Sequence, residues 1–208
     1  MNKYTEGQNP LFPIFLKLEN LQTLLVGGGN VGLEKLEALL KNSPEAEITI
    51  VADLVREEVT ELASRHKRVN INQRKFQMHD LEEKDVVVQA TDDYSLHEQI
   101  KAETRKRRIL TNVADTPELC DFYLGSVVRK GDLKIAISTN GKSPTMAKRL
   151  RQFFEEVFPD NMQEILLNLR SIREQLKGDF QHKLRLLEEV TASFTPQKRE
   201  SPKEEEKV

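Results

Sequence analysis

Hydrophobic residues in the first half of the chain follow two alternating rhythms. Leu21–Val26 (LQTLLV), which ends in the apolar run Leu24-Leu25-Val26, reads as a buried strand. From Val31 to Lys41 the spacing becomes helical, with Leu33, Leu36, Leu39 and Leu40 on one face. Glu47–Val51 (EITIV) returns to a strand pattern, and Leu54–Ser64 reads as a helix with Val55, Val59 and Leu62 inward. Val69–Gln73 is a weaker third strand and Asp85–Ala90 (DVVVQA) a stronger fourth. Ser95–Arg107 reads as a helix and Arg108–Val113 as a fifth strand. Strands that alternate with helices predict a mostly parallel sheet covered on both faces, an α/β fold of Rossmann-like type.

The rhythm changes after Asp115. Phe122–Arg129 and Leu133–Ser138 read as two strands joined at Lys130-Gly131-Asp132, a hairpin with no crossover helix. Ser143-Pro144 then opens a helix, with Ser143 as N-cap and Pro144 at the first helical position. Met146, Leu150, Phe154 and Val157 share a face of that helix, and Pro159 ends it. A helix over Met162–Lys177 carries Ile165, Leu169, Ile172 and Leu176, and a last one from Phe180 carries Leu184, Leu187 and Val190. In residues 195–208, eight of fourteen are charged, so a disordered tail is expected there.

Composition narrows the function classes. Hydrophobic residues make up 38% and charged residues 32%, enough to bury a core in a soluble chain. No apolar run approaches the ~18 residues of a membrane span, so no membrane partner is expected. The net charge of −2 lacks the basic excess of a nucleic-acid binder. Cys120 is the single cysteine, which suits a reducing, cytoplasmic setting. The four histidines, His66, His79, His97 and His182, have no metal-ligand spacing, and no metal site is expected.

Chemistry concentrates where strands end. Gly27-x-Gly29-x-x-Gly32 leaves the first strand and opens the first helix, the setting in which this motif binds a dinucleotide. The first glycine permits the tight turn, the second lets a pyrophosphate reach the backbone, and the third lets helix and strand pack closely. Asp53 lies just beyond the expected second strand, where an acid meets the ribose hydroxyls and favours NAD over NADP. It serves equally as a cap for the following helix. Thr91-Asp92-Asp93 ends the fourth strand at the sheet edge where ligands bind, and either aspartate suits a turn or an N-cap. Asp115 leaves the fifth strand at the same edge. Its carboxylate can serve as a general base beside the nicotinamide or simply cap the loop before Thr116-Pro117. With no histidine near it in sequence, Cys120 reads as packing rather than a nucleophile. The hydroxyl-rich run Ser138–Pro144, which includes Lys142 and is followed by Lys148, Arg149 and Arg151, suits either an anion or a solvated helix start.

Together these motifs resemble the precorrin-2 dehydrogenase / sirohydrochlorin ferrochelatase family, which includes the N-terminal part of bifunctional siroheme synthase. The resemblance rests on Pro13-Ile14-Phe15-Leu16, Val26-Gly27-Gly28-Gly29-Asn30-Val31-Gly32 and Ala90-Thr91-Asp92-Asp93. It continues through Asn112-Val113-Ala114-Asp115, Cys120-Asp121-Phe122-Tyr123 and Ile137–Pro144, in the family's order, over residues 11 to 155. It implies NAD-dependent oxidation of precorrin-2 to sirohydrochlorin, followed in some members by Fe²⁺ insertion. On this resemblance the catalytic aspartate is Asp115. The resemblance places NAD contacts at Asn30, Val31, Asp53 and Leu54 and a serine-rich loop at Ser138 and Thr139. With the glycine loop and the sheet edge, the expected cofactor contacts are Gly27, Gly29, Asn30, Val31, Gly32, Asp53, Leu54 and Thr91, and the expected tetrapyrrole contacts Asn112, Ser138, Thr139 and Lys142. It also implies a homodimer. The expected organisation is an NAD-binding domain over residues 1–124, a dimerisation unit over 125–154, a helical region over 155–194 and the tail. With no methyltransferase domain in the sequence, precorrin-2 is expected to come from a separate protein. Three segments depart from the commonest family residues: Glu34-Lys35 replaces Arg-Lys, Gly125-Ser126 replaces Pro-Ala, and Asp53 stands where proline is frequent. Two other readings fit the glycine loop: an NAD-binding redox sensor, and a tetrapyrrole chelatase or carrier without dehydrogenase activity.

Overall fold

The computed structural model describes residues 9–176 and 180–192. The expected tail, Lys177 and the Val190 side chain therefore lie outside the described residues. The chain divides into two compact units, one formed by residues up to Val127 together with Ala136–Arg151, the other by Val128–Ile135 and the residues from Gln152 onward.

In the first unit five strands form one parallel sheet: β1 (Gln22–Gly28), β2 (Glu47–Val55), β3 (Val69–Gln73), β4 (Val86–Gln89) and β5 (Leu110–Val113), in the order β3-β2-β1-β4-β5. Helices α1 (Asn30–Asn42), α2 (Glu57–Ser64) and α3 (Tyr94–Arg107) make the crossovers. The alternation of β1 explains why both sheet faces are covered. Leu25 joins a buried layer with Leu36, Leu39, Leu40, Ile48, Ile50, Val59 and Val88. Its neighbours Leu24 and Val26 join a layer with Val51, Val87, Ile100 and Ile109. Adjacent residues of one strand point to opposite faces, so an uninterrupted apolar run is what a doubly covered sheet requires. The strand order reverses between β1 and β4, and the crevice outside their carboxyl ends is the ligand position of this topology.

One element differs from its expected bounds in a way that matters. β2 runs on to Val55, and α2 begins only at Glu57 with Arg56 as N-cap. Asp53 therefore lies inside the strand and does not cap the helix. Leu54, expected at the start of that helix, is a strand residue and 79% exposed. The extension exists because Gly28 pairs with Val55 after an irregularity at Val26/Gly28. A Cβ on Gly28 would stand 2.7 Å from the Leu54 carbonyl oxygen, so only glycine lets the two chains run this close.

Strands β6 (Ser126–Lys130) and β7 (Leu133–Ile137) form a separate two-stranded sheet. β6 starts later than the sequence pattern suggests, because residues from Thr116 to Phe122 are used to fold a loop against β5. Helix α4 (Pro144–Val157) begins as expected, with Ser143 Oγ accepting from the Met146 amide at 3.2 Å. In the second unit, α5 (Met162–Gln175) and α6 (Phe180–Thr191) pack together around Leu169 and Leu187. Gln163 of α5 clasps the hairpin turn, its Oε1 accepting from the Asp132 amide at 2.6 Å.

Candidate dinucleotide site and the aspartate beside it

The glycine loop is built from two crowded positions and one open one. Gly27 has φ 118°, and a side chain there would meet the Ala90 carbonyl oxygen at 2.3 Å. Gly32 is equally confined, with the Gly27 carbonyl oxygen 2.4 Å from where a Cβ would stand. These two glycines let β1, β4 and α1 converge. Gly29 has nothing within 4 Å of its missing Cβ, so its outer side is free for a ligand. It is also the N-cap of α1 and supplies no side-chain cap. The first intrahelical acceptor, Gly29 O, takes the amide of Leu33 at 2.9 Å. That leaves the amides of Asn30, Val31 and Gly32 without helical partners, at the positive end of the helix dipole. Open backbone plus uncapped amides is the donor set a pyrophosphate requires.

Thr91 and His97 stand next to this loop. The Thr91 methyl lies 3.3 Å from the Cβ position of Gly27. Its hydroxyl is hydrogen-bonded to His97 Nε2 at 2.9 Å. His97 is only 4% exposed, and its Nδ1 has no hydrogen-bond partner among the described residues. Burial holds its pKa below the ordinary histidine value, against the opposing pull of the Thr91 contact, Asp93 and Asp92. Asp93, not Asp92, is the N-cap of α3, accepting from the Leu96 amide at 3.0 Å. Asp53 is exposed and turns one oxygen back to the Leu54 amide at 2.9 Å.

Asp115 lies two residues past the end of β5 in a left-handed conformation, φ 54°, with its side chain exposed. Aspartate tolerates this region better than most residues. Cys120 imposes the turn. Its Sγ accepts from the Val113 amide at 3.2 Å, and the thiol lies within donating distance of the Val113 carbonyl at 3.2 Å and the Thr116 carbonyl at 3.5 Å. Burial raises the Cys120 pKa, which keeps the sulfur protonated and suited to this latch. The Ala114 amide donates to Gln89 O at 2.9 Å, joining the loop to the end of β4. Among the described residues, no hydrogen bond or ion pair engages the Asp115 carboxylate.

The expected tetrapyrrole contacts divide. Asn112 is buried, and its Nδ2 donates to the Phe122 carbonyl at 2.9 Å, tying β5 to the following segment. Ser138 Oγ accepts from the Asn140 amide and Thr139 Oγ1 from the Ser143 amide, each at 3.1 Å. This loop is self-supporting, and it leaves Lys142 exposed at its tip. Arg56 escaped the sequence reading. Its amide donates to Gly28 O at 3.0 Å, and its guanidinium donates to Asn30 Oδ1 at the start of α1. Only the register Gly28↔Val55 reveals this, because in the sequence Arg56 looks like the first turn of a helix. Among the described residues, no group of three metal-ligating side chains occurs, and no helix is long and apolar enough to cross a membrane.

Comparison with known proteins agrees with this geometry. Residues 14–126 match the family described as "Putative NAD(P)-binding", and residues 130–156 match "Sirohaem biosynthesis protein central". Siroheme synthase of Psychrobacter cryohalolentis is 35% identical over 175 residues, covering 83% of this chain and 32% of that protein. The siroheme synthase of Methylococcus capsulatus is 33% identical, over 79% of this chain and 34% of its own length. The chain thus spans about a third of the length of these curated relatives. A solved structure titled "SirC, precorrin-2 dehydrogenase" superposes with a TM-score of 0.71 at 25% identity, covering 86% of this chain and 89% of that one.

Proposed function

Because the chain belongs to the NAD(P)-binding family matched over residues 14–126, we propose that it oxidises precorrin-2 to sirohydrochlorin with NAD in the making of sirohaem. The expectation of a nicotinamide dinucleotide agrees with that family and with the open, uncapped loop at Gly29. The substrate assignment draws on the siroheme synthase relatives and on the SirC-like fold.

The observation that carries the reading is the free Asp115 carboxylate, held on the same sheet edge as the glycine loop. Bound NAD⁺ supplies the hydride acceptor. Oxidation of the macrocycle also releases a proton, and Asp115 accepts it as the general base. The open backbone at Gly29 and the amides of Asn30, Val31 and Gly32 hold the pyrophosphate, Gly27 lets the loop turn back against β4, and Asp53 and Leu54 border the ribose. Thr91, fixed by His97, lines the base of the crevice. Lys142, Ser138 and Thr139 offer a cation and hydroxyls to an acid-rich tetrapyrrole, and Asn112 keeps the Asp115 loop in register. The exposed stripe Met146, Leu150, Phe153 and Val157 on α4 supports a homodimer.

Asp115→Ala should lower NAD-dependent sirohydrochlorin formation by at least about 100-fold, the usual contribution of a positioned base. An anaerobic absorbance assay with precorrin-2 and NAD⁺ reads this directly. Undiminished turnover in the variant would refute the assignment. Adding Fe²⁺ or Co²⁺ to the same assay tests whether metal insertion is a second activity. NAD binding with no tetrapyrrole turnover would favour the sensor reading, and insertion without oxidation the chelatase reading.

A further inference from the structure

At the ribose edge of the site stands Arg56, a cation that is already engaged. Arg56 follows the last residue of β2, with its amide on Gly28 O at 3.0 Å. Nη1 of its guanidinium donates to Asn30 Oδ1. Nε donates to Glu58 Oε2 at 3.1 Å, and Nη2 donates to Glu58 Oε1, so one carboxylate takes two prongs of the fork. The guanidinium therefore bridges the end of β2 and the N-terminus of α1. In a dinucleotide fold, the adenosine ribose passes this place on its way to the pyrophosphate. There a carboxylate pairs with a free 2′-hydroxyl, whereas an arginine accepts a 2′-phosphate. This chain has both kinds of residue.

Building on the dinucleotide site proposed above, we propose that Glu58 sets the choice of cofactor. It holds Arg56 in a two-pronged pair, withholds the guanidinium from a 2′-phosphate, and so leaves the site selective for NAD(H) over NADP(H). A phosphate arriving at the ribose edge would have to compete with a charge-assisted, bidentate contact, modest in energy at these exposed positions but already holding two prongs of the fork. It would also meet a carboxylate excess. Residues 53–58 contain Asp53, Glu57 and Glu58 against Arg56 alone, and a 2′-phosphate adds close to two further negative charges at neutral pH. The pair is ionised at that pH, since the hydrogen bond to Arg56 lowers the Glu58 pKa and the same contact raises that of Arg56. Asn30 takes a remaining donor and keeps the fork turned toward α1. Asp53 thus acts together with Glu58: one acid favours the bare ribose, and the other removes the reward for phosphorylating it.

The test is calorimetric titration of the full chain with NAD⁺ and with NADP⁺, for the wild type, Glu58→Gln, Arg56→Gln and the double variant. Freed from its partner, Arg56 should raise the ratio of NADP⁺ to NAD⁺ affinity by about tenfold in Glu58→Gln, the scale of one hydrogen bond to a charged group. The double variant should return that ratio to the wild-type value, because the gain comes from Arg56. An unchanged ratio in Glu58→Gln overturns the proposal. So does a gain that survives in the double variant, which would mean that loss of an acid alone is responsible. A wild type that binds neither dinucleotide would instead sink the underlying site. The exposed positions of Arg56 and Glu58 make a folding failure easy to recognise, since a thermal melt should be nearly unchanged in all three variants.

Discussion

His97 shows how much one buried side chain governs at this site. Its Nε2 bonds the Thr91 hydroxyl, which abuts Gly27, and its ring is buried under α3. Burial depresses its pKa, so the folded protein resists protonating a group that the unfolded chain protonates near pH ~6.5. Its contribution to stability is complete above that value and is lost as pH falls through the folded pKa. Denaturant midpoints measured from about pH 7.5 down to about pH 5 should therefore fall more steeply for the wild type than for His97→Gln, which has no such proton to take up. Equal slopes would show that His97 does not carry this dependence. Asp115 and the glycines were legible in the sequence because their chemistry is tied to strand ends. The partners that fix them were not. Thr91–His97 is a contact across six residues and a helix start, and the Cys120 latch on Val113 closes only after the chain has turned at Pro117–Leu119.

Among elements, the junction of β1 with α1 is the most exacting. Its three motif glycines look equivalent in the sequence, yet the structure separates them into two that pack and one that faces outward. Gly32→Ala pushes a methyl group into the Gly27 carbonyl and should cost about 1–3 kcal/mol, the usual penalty of overpacking. Gly29→Ala meets open space and has φ −83°, so its melting temperature should stay near that of the wild type while dinucleotide affinity drops. Thermal melts paired with NAD⁺ titrations distinguish the two. A stable Gly32→Ala would mean that α1 can withdraw from β1. The strands themselves were readable from apolar runs, since a doubly covered sheet writes its burial continuously into the sequence. The end of β2 was not, because Asp53 and Leu54 are exposed on a strand that only the closeness of Gly28 prolongs. That one misplaced boundary hid Arg56 from view.

At the scale of the whole molecule, the apolar residues left outside are as informative as those within. On α4, Met146, Leu150, Phe153 and Val157 are exposed along a single helix, with Phe153 at 56%. In a chain with 32% charged residues such a stripe stands out, and the homodimer proposed above would cover it. Phe153→Glu should shift the protein to a monomer in sedimentation velocity, whereas a dimer that survives the change would place the interface elsewhere. The helical spacing of this stripe was readable from the sequence, which nevertheless assigned Phe154 to it in place of Phe153. Phe154 turns to stack with Phe158, at a ring separation of 6.1 Å, and leaves its neighbour outside. The path of the chain carries a consequence of its own. It crosses between the two compact units inside β6, again inside β7, and a third time inside α4. A cut at any of these three crossings falls within a strand or a helix and splits β6, β7 or α4. A shortened chain that stops at Val127 should therefore melt well below the full chain, because the first unit is completed only by Ala136–Arg151, which return to it after the chain has left.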